Sequence, residues 1–211
     1  MTSDATLHDA LFGLGLHNAI YEAHGFDVVP AAMDYKGDVD VFRLKKVLSK
    51  MRHRYDFIIL DSSPSYHEMT PVIAAADKIF VVTTPDHPTL SATIKAVKLA
   101  KQRGTPISGL VLNKVHKKNF EISLKDIEET LDIPVLAVIP YDLGVLKSLS
   151  RMKPYPSSKP KSRGSTEYKK LASALIGQKY GQSKLKNFFG KITPKRQEIN
   201  REIFYNRVFK K

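Results

Sequence analysis

The sequence predicts an α/β fold: a mostly parallel sheet with helices on both faces, followed by a basic amphipathic helical tail. Three observations predict it. Short apolar runs alternate with helical patterns from about residue 26 to 176. The runs are rich in Val, Ile and Leu and mostly lack period-2 alternation, as strands buried on both faces do. The charge is also partitioned. Residues 1–142 carry 16 Lys+Arg against 18 Asp+Glu, a net of −2, whereas residues 143–211 carry 18 against 3, a net of +15.

Strands are expected at Phe26–Val29, Phe57–Leu60, Ile79–Thr83, Gly109–Leu112 and Val135–Ile139. Helices are expected between them. Asp40 can cap a helix that places Val41, Leu44, Val47, Leu48 and Met51 on one face. Residues 90–103 put Leu90, Ile94 and Val97 at helical spacing. Ser123 with Asp126 resembles a capping box ahead of Leu124, Ile127 and Leu131. Tyr168, Leu171, Ala172 and Leu175 form a last stripe, after an expected exposed loop at Lys153–Gly164. This alternation argues for helices on both faces of one sheet. The expected organisation is an α/β domain over 1–177 and a separate tail over 178–211.

Composition excludes several classes of function. The 211 residues contain no Cys, which removes disulfides, thiolate metal sites and Cys nucleophiles. No apolar run approaches the roughly 18 residues of a spanning helix. The opening MTSDATLHDA is polar and acidic, unlike a secretory signal. The expectation is a cytoplasmic protein, peripheral at the inner face of the cell membrane if the tail binds lipid. The histidines form no HExxH pattern, and Ser62, Ser63 and Ser65 near His67 lack a GxSxG elbow.

In an open α/β sheet, ligands bind beyond the carboxyl ends of the strands. Four segments should reach that edge. DFIILDSSPS ends an apolar run in Asp61 and turns through Pro64. Such an acid can hold Mg²⁺ through water, and such a turn can sense a γ-phosphate. VVTTPDHPTLSA runs from a strand into a polar loop and a helix. LVLNKV sets Asn113 past a strand, where its amide can both donate to and accept from a base edge. VIPYDLG sets Pro140 and Asp142 past the last strand.

In order and spacing these segments resemble the MinD/ParA family of ATPases over about residues 7–176. The resemblance implies a P-loop NTPase-like fold, with Asp61 and Pro64 in switch II and Asn113, Pro140 and Asp142 around adenine. It implies ATP and Mg²⁺ as cofactors, and an ATP-driven dimer that positions division or partition machinery. The family's Gly-rich phosphate loop with its Lys does not occur here: Gly190-Lys191 is followed by Ile192, and no G-x-x-x-x-G-K-[S/T] is present. The chain then corresponds to an N-terminally truncated member. Three explanations are open: a split ATPase completed by another polypeptide, a start placed too late, or a degenerate member that only binds partners. The expected partners are a second copy of the chain or a chain supplying the N-terminal segment.

In the tail, Leu185, Phe188, Phe189 and Ile192 fall within an arc of about 100° on a helical wheel. Lys184, Lys186 and Lys191 flank that arc. Border lysines can snorkel to lipid phosphates while the stripe enters an anionic membrane surface. Two other readings remain open: a stripe packed back onto the domain, and nucleic-acid binding through charge. Beyond Pro194, Ile199, Ile203, Phe204 and Val208 make a rougher apolar face. The rival to the ATPase reading is a non-catalytic interaction protein whose tail binds membrane, nucleic acid or a partner protein.

Overall fold

The computed structural model describes residues 5–33, 39–178, 180 and 194–209. They form two compact units, Met1–Asp77 with Leu99–Pro106, and Lys78–Lys98 with Ile107–Lys211.

The first unit opens with α1 (Leu7–Leu11), held by a capping box in which Thr6 and Asp9 satisfy each other's backbone N–H groups. Next come β1 (Tyr21–Ala23) and β2 (Phe26–Val28), an antiparallel hairpin. Its two-residue turn, His24 and Gly25, has φ of 58° and 86°. Positive φ at both positions is what a type I′ turn requires. The strand expected at Phe26–Val29 therefore exists, but it pairs with its immediate neighbour instead of joining a parallel sheet. Helix α2 (Val41–Met51) starts where expected: the Asp40 carboxylate accepts from Phe42 N–H at 2.8 Å and Arg43 N–H at 3.3 Å. Leu44 is its buried anchor.

The Phe57–Leu60 run is not a strand. It has no ladder partner among the described residues, and Phe57 is 59% and Ile59 90% exposed. β-propensity does not make a strand without a neighbour to accept its hydrogen bonds. After it, α3 (Tyr66–Ala75) begins at Ser65.

The second unit is built on a three-stranded parallel sheet. β3 (Ile79–Thr83), β4 (Ile107–Val115) and β5 (Val135–Pro140) lie in the order β3-β4-β5. The crossovers are α4 (His87–Gln102), of which residues 87–98 belong to this unit, and α5 (Leu124–Leu131). Successive β4 side chains go to opposite faces. Leu110 and Leu112 pack with Leu90 and Val97 of α4 and Ile127 and Leu131 of α5. Val111 packs with Ala137, Ile139 and, on the far face, Leu171 of α8 (Arg163–Leu175). Gly109 is required by close approach: a Cβ there would lie 2.5 Å from Leu136 Cδ1.

Two further helices precede α8: α6 (Leu143–Leu149) and α7 (Tyr155–Ser158). The latter occupies part of the stretch expected as an exposed loop, because Tyr155 is buried and donates its O–H to Asp142 at 2.5 Å.

Residues 194–209 of the expected tail contain α9 (Arg196–Phe209), packed on β5 and α8. It docks mainly through its polar side. Arg201 is buried and donates to the Leu136 carbonyl at 2.7 Å and to the buried Glu167 carboxylate at 3.0 Å. Asn200 donates to the Val135 carbonyl at 2.9 Å and to Glu128 at 2.6 Å. Glu128 also accepts the Val135 N–H at 2.7 Å and pairs with Arg196. Lys170 bonds Glu198 at 2.7 Å. Burial pushes the Glu198 carboxyl up, but the Lys170 ammonium, the Lys195 N–H and the Arg201 charge outweigh it and hold it below the usual range. The apolar face expected beyond Pro194 is divided: Phe204 meets Phe80 edge-on, while Ile199 and Ile203 stay exposed.

Replacing Arg201 by Ala leaves the buried Glu167 carboxylate with Lys170 at 3.5 Å as its remaining cation and removes this donor from the Leu136 carbonyl. The expected loss is roughly 3–5 kcal/mol of unfolding free energy in urea. The Arg52–Asp77 pair is shorter, at 2.7 Å, but mostly exposed, and Arg52→Ala should cost less than about 1 kcal/mol in the same assay.

Candidate functional site

The carboxyl edge of the parallel sheet gathers three of the expected nucleotide-side residues. β4 extends to Val115, so Asn113 lies within the strand and not beyond it. Leu112 pairs with Val138 and Val115 with Pro140, which leaves Asn113 and Lys114 opposite the single residue Ile139. One extra residue on one strand is a β-bulge. Lys114 accommodates it with φ of 54° and donates its N–H to Asn113 Oδ1 at 2.9 Å. The amide nitrogen of Asn113 is left to another partner. Pro140 ends β5, and the Tyr141 N–H extends the pairing by donating to the Val115 carbonyl at 3.0 Å.

Asp142 caps α6, accepting the Gly144 N–H at 2.6 Å on one oxygen and the Tyr155 hydroxyl at 2.5 Å on the other. The hydroxyl bond and then the N–H hold its carboxyl below the usual aspartate range. Burial, then the bond to Asp142, pushes the Tyr155 phenol up. A carboxylate offers about four lone-pair sites, so two remain for a ligand.

The same edge carries a feature that sequence reasoning missed. His116 and Tyr141 stack with ring centroids 4.5 Å apart and planes 22° from parallel, and Phe120 lies 6.4 Å from His116. The available signal was that His116 and Tyr141 each follow directly on the end of one of two neighbouring strands. An exposed π-face next to Asn113 and Pro140 suits a planar base.

Asp86, in the polar loop after β3, caps α4: it accepts the Thr89 N–H at 2.9 Å and the Thr84 hydroxyl. The hydroxyl and then that N–H lower its pKa.

Asp61 and Pro64 belong to the first unit. Both are exposed, at the end of the unpaired Phe57–Leu60 run. The Ser65 N–H donates to Ser63 Oγ at 3.2 Å, which tightens the turn ahead of α3. Asp61 with the hydroxyls of Ser62 and Ser63 is an all-oxygen donor set. That fits Mg²⁺, which takes one or two carboxylates and completes its shell with water and phosphate. Among the described residues no group of three His, Cys, Asp or Glu side chains could cage a metal unaided. Leu185, Phe188, Phe189, Ile192, Lys184, Lys186 and Lys191 lie outside the described residues.

A family model described as an AAA domain matches residues 34–147, more than half of the chain. An uncharacterized ATP-binding protein of Methanocaldococcus jannaschii is 31% identical over 184 residues, covering 83% of this chain and 68% of that protein. The cell division ATPase MinD of Pyrococcus furiosus has the same fold, with a TM-score of 0.74 at 29% identity over 82% of this chain and 76% of its own. The chain belongs to the MinD/ParA family of ATPases. The septum site-determining protein MinD of Pyrococcus horikoshii, solved with Mg-ADP, also aligns with a TM-score of 0.74, at 28% identity over 91% of this chain and 79% of its own.

Within this family member, Asp142 joins the sheet edge to α6. Asp142→Ala should remove the cap and cost about 1 kcal/mol of stability. Because the folded-state pKa of Asp142 is depressed, its contribution is present above the ordinary aspartate value of about 3.9 and is lost as pH falls through the folded value. The Tyr155 pKa is raised, so its contribution is present below about pH 10 and is lost as pH rises further. Thermal melts followed across pH should show an acid limb that is shallower in Asp142→Asn than in the parent chain.

Proposed function

We propose that the chain is an ATP- and Mg²⁺-using member of the MinD/ParA family that positions division or partition machinery. The observation that carries this reading is the β4 bulge. It sets Asn113 beside the end of β5, so that an amide, the Pro140 backbone and the Asp142 carboxylate share one edge with the His116–Tyr141 stack. Asn113 reads the adenine edge, Pro140 and Asp142 border it, and the stack supports its face. Asp61 orients Mg²⁺ through water, and Pro64 shapes the turn that senses the γ-phosphate. When bound, the metal neutralises phosphate charge.

The 211 residues contain no Gly-rich loop with a Lys to cradle the phosphates. The reading therefore requires a phosphate-loop segment that these residues do not hold, with a second copy of the chain, or a chain supplying that segment, as the partner. Hydrogen bonds to a charged group are worth roughly 1.5–3 kcal/mol each. Four backbone donors and a Lys thus account for about 7.5–15 kcal/mol, comparable to or above the roughly 8 kcal/mol of micromolar binding. Among the described residues no helix is long and apolar enough to cross a membrane. The proposed membrane contact is peripheral, through Leu185, Phe188, Phe189 and Ile192 with Lys184, Lys186 and Lys191 at the border.

Calorimetric titration of Mg-ATP tests the site. The expected outcome is no saturation up to about millimolar ATP for the 211-residue chain alone, and micromolar binding once a phosphate-loop segment is added in trans. In that complex Asn113→Ala should weaken binding about tenfold, and Asp61→Ala should remove the Mg²⁺ dependence. Failure to bind in both arms overturns the nucleotide reading.

A further inference from the structure

Helix α6 presents an apolar stripe to solvent. Leu143 is 66% exposed, Leu146 57%, Leu149 66% and, just beyond the helix, Met152 80%. At about 100° per residue the three leucines span roughly 120° of the helix. The inward side is taken by Gly144 and Ser148, both buried, with Ser148 donating its hydroxyl to the Gly144 carbonyl at 2.8 Å. The stripe is therefore the face left over once the helix is seated. It is contiguous along two turns, unlike the scattered single apolar residues of ordinary surfaces.

Beyond the capping Asp142, the charge that follows in sequence is of one sign. From Leu143 to Thr166 the chain contains Lys147, Arg151, Lys153, Lys159, Lys161 and Arg163 and no Asp or Glu. All six cations are exposed. Lys147 follows the stripe on the wheel by about 40°. Lys159 is not at the stripe: its Nζ lies on the inward side, 2.7 Å from where a Cβ added at Gly144 would stand. A short leucine stripe bordered by long cationic side chains matches a surface that is apolar beneath and anionic at its rim. This is the boundary between acyl chains and acidic headgroups. Each cation near such a surface adds to the attraction.

We propose that α6 is a membrane-contacting surface of the folded unit, inserting Leu143, Leu146, Leu149 and Met152 into an anionic lipid surface with Lys147 and Arg151 at the headgroups. It goes beyond the proposed function, since it requires neither nucleotide nor residues 183–192.

The protein contains no tryptophan, so Leu149→Trp gives a single reporter in the stripe. It is placed in a Phe188→Ser, Phe189→Ser background, so that the tail stripe cannot account for the signal. Vesicles of phosphatidylcholine with about one third phosphatidylglycerol should shift its emission to the blue, and pure phosphatidylcholine should not. Adding Leu143→Ser and Leu146→Ser, or in a second variant Lys147→Glu and Arg151→Glu, should weaken vesicle cosedimentation about tenfold. All four positions are exposed, and circular dichroism checks that each variant is folded. No blue shift with the anionic vesicles overturns the proposal. So does a shift produced only by duplex DNA or by polyglutamate. So does one that follows self-association, with dilution abolishing it in the absence of lipid. A blue shift with the anionic vesicles that the leucine and the cation variants both diminish supports contact through α6 independently of the tail.

Discussion

The second unit depends on β4 being paired on both sides. A parallel strand hydrogen-bonded to neighbours along both edges has little freedom of register, because a one-residue slip would move Leu110 and Leu112 from one core to the other. Leu110, Val111 and Leu112 are each buried, and helices cover both faces. With its middle fixed, the strand can tolerate an irregularity only at its end. The bulge at Asn113 and Lys114 is there, at the edge where ligands of such sheets bind. Packing and site geometry are thus consequences of the same pairing.

The legible part of the fold is the part where the local signal and the tertiary setting agree. β3, β4, β5 and α5 read directly from apolar runs and caps, because a strand buried on both faces needs nothing but apolar residues and Ser123 caps its helix whatever surrounds it. The hairpin did not read, because His24 at positive φ is outside the usual turn vocabulary of Asn-Gly and Asp-Gly. Phe57–Leu60 has the composition of a strand, but pairing is a property of two segments, and one segment cannot announce its neighbour. Helix α9 misled for a different reason. Wheels weigh apolar faces, whereas this helix is seated by Arg201 and Asn200 on strand carbonyls and buried carboxylates.

The candidate site divides the same way. That Asn113, Pro140 and Asp142 gather at the carboxyl edge follows from the general rule for open sheets, although Asn113 lies within β4, Pro140 ends β5 and only Asp142 lies past a strand. The His116–Tyr141 stack was invisible because its rings are 25 positions apart in sequence and meet only through the β4–β5 register. The second duty of Asp142 was hidden likewise. Its role as a cap reads from Asp142 and Gly144, but the Tyr155 hydroxyl arrives from a segment whose Pro, Ser and Lys content suggests an exposed loop.

That second duty bears on whether nucleotide and α6 are coupled. Asp142 lies on the edge proposed for the nucleotide and also caps the helix that carries the exposed leucines. Had its two bonds consumed every acceptor site, an adenine contact would have required releasing the cap, at about 1 kcal/mol. By linkage the helix would then have resisted the nucleotide by the same amount. The two bonds occupy about half of the carboxylate's capacity, one on each oxygen. A ligand can therefore be accepted without surrendering either. Filling the proposed site thus gives α6 no reason to leave its cap, and on the proposed reading a dependence of membrane contact on nucleotide would come through the number of copies brought to the surface, where weak contacts sum, rather than through a rearrangement at Asp142.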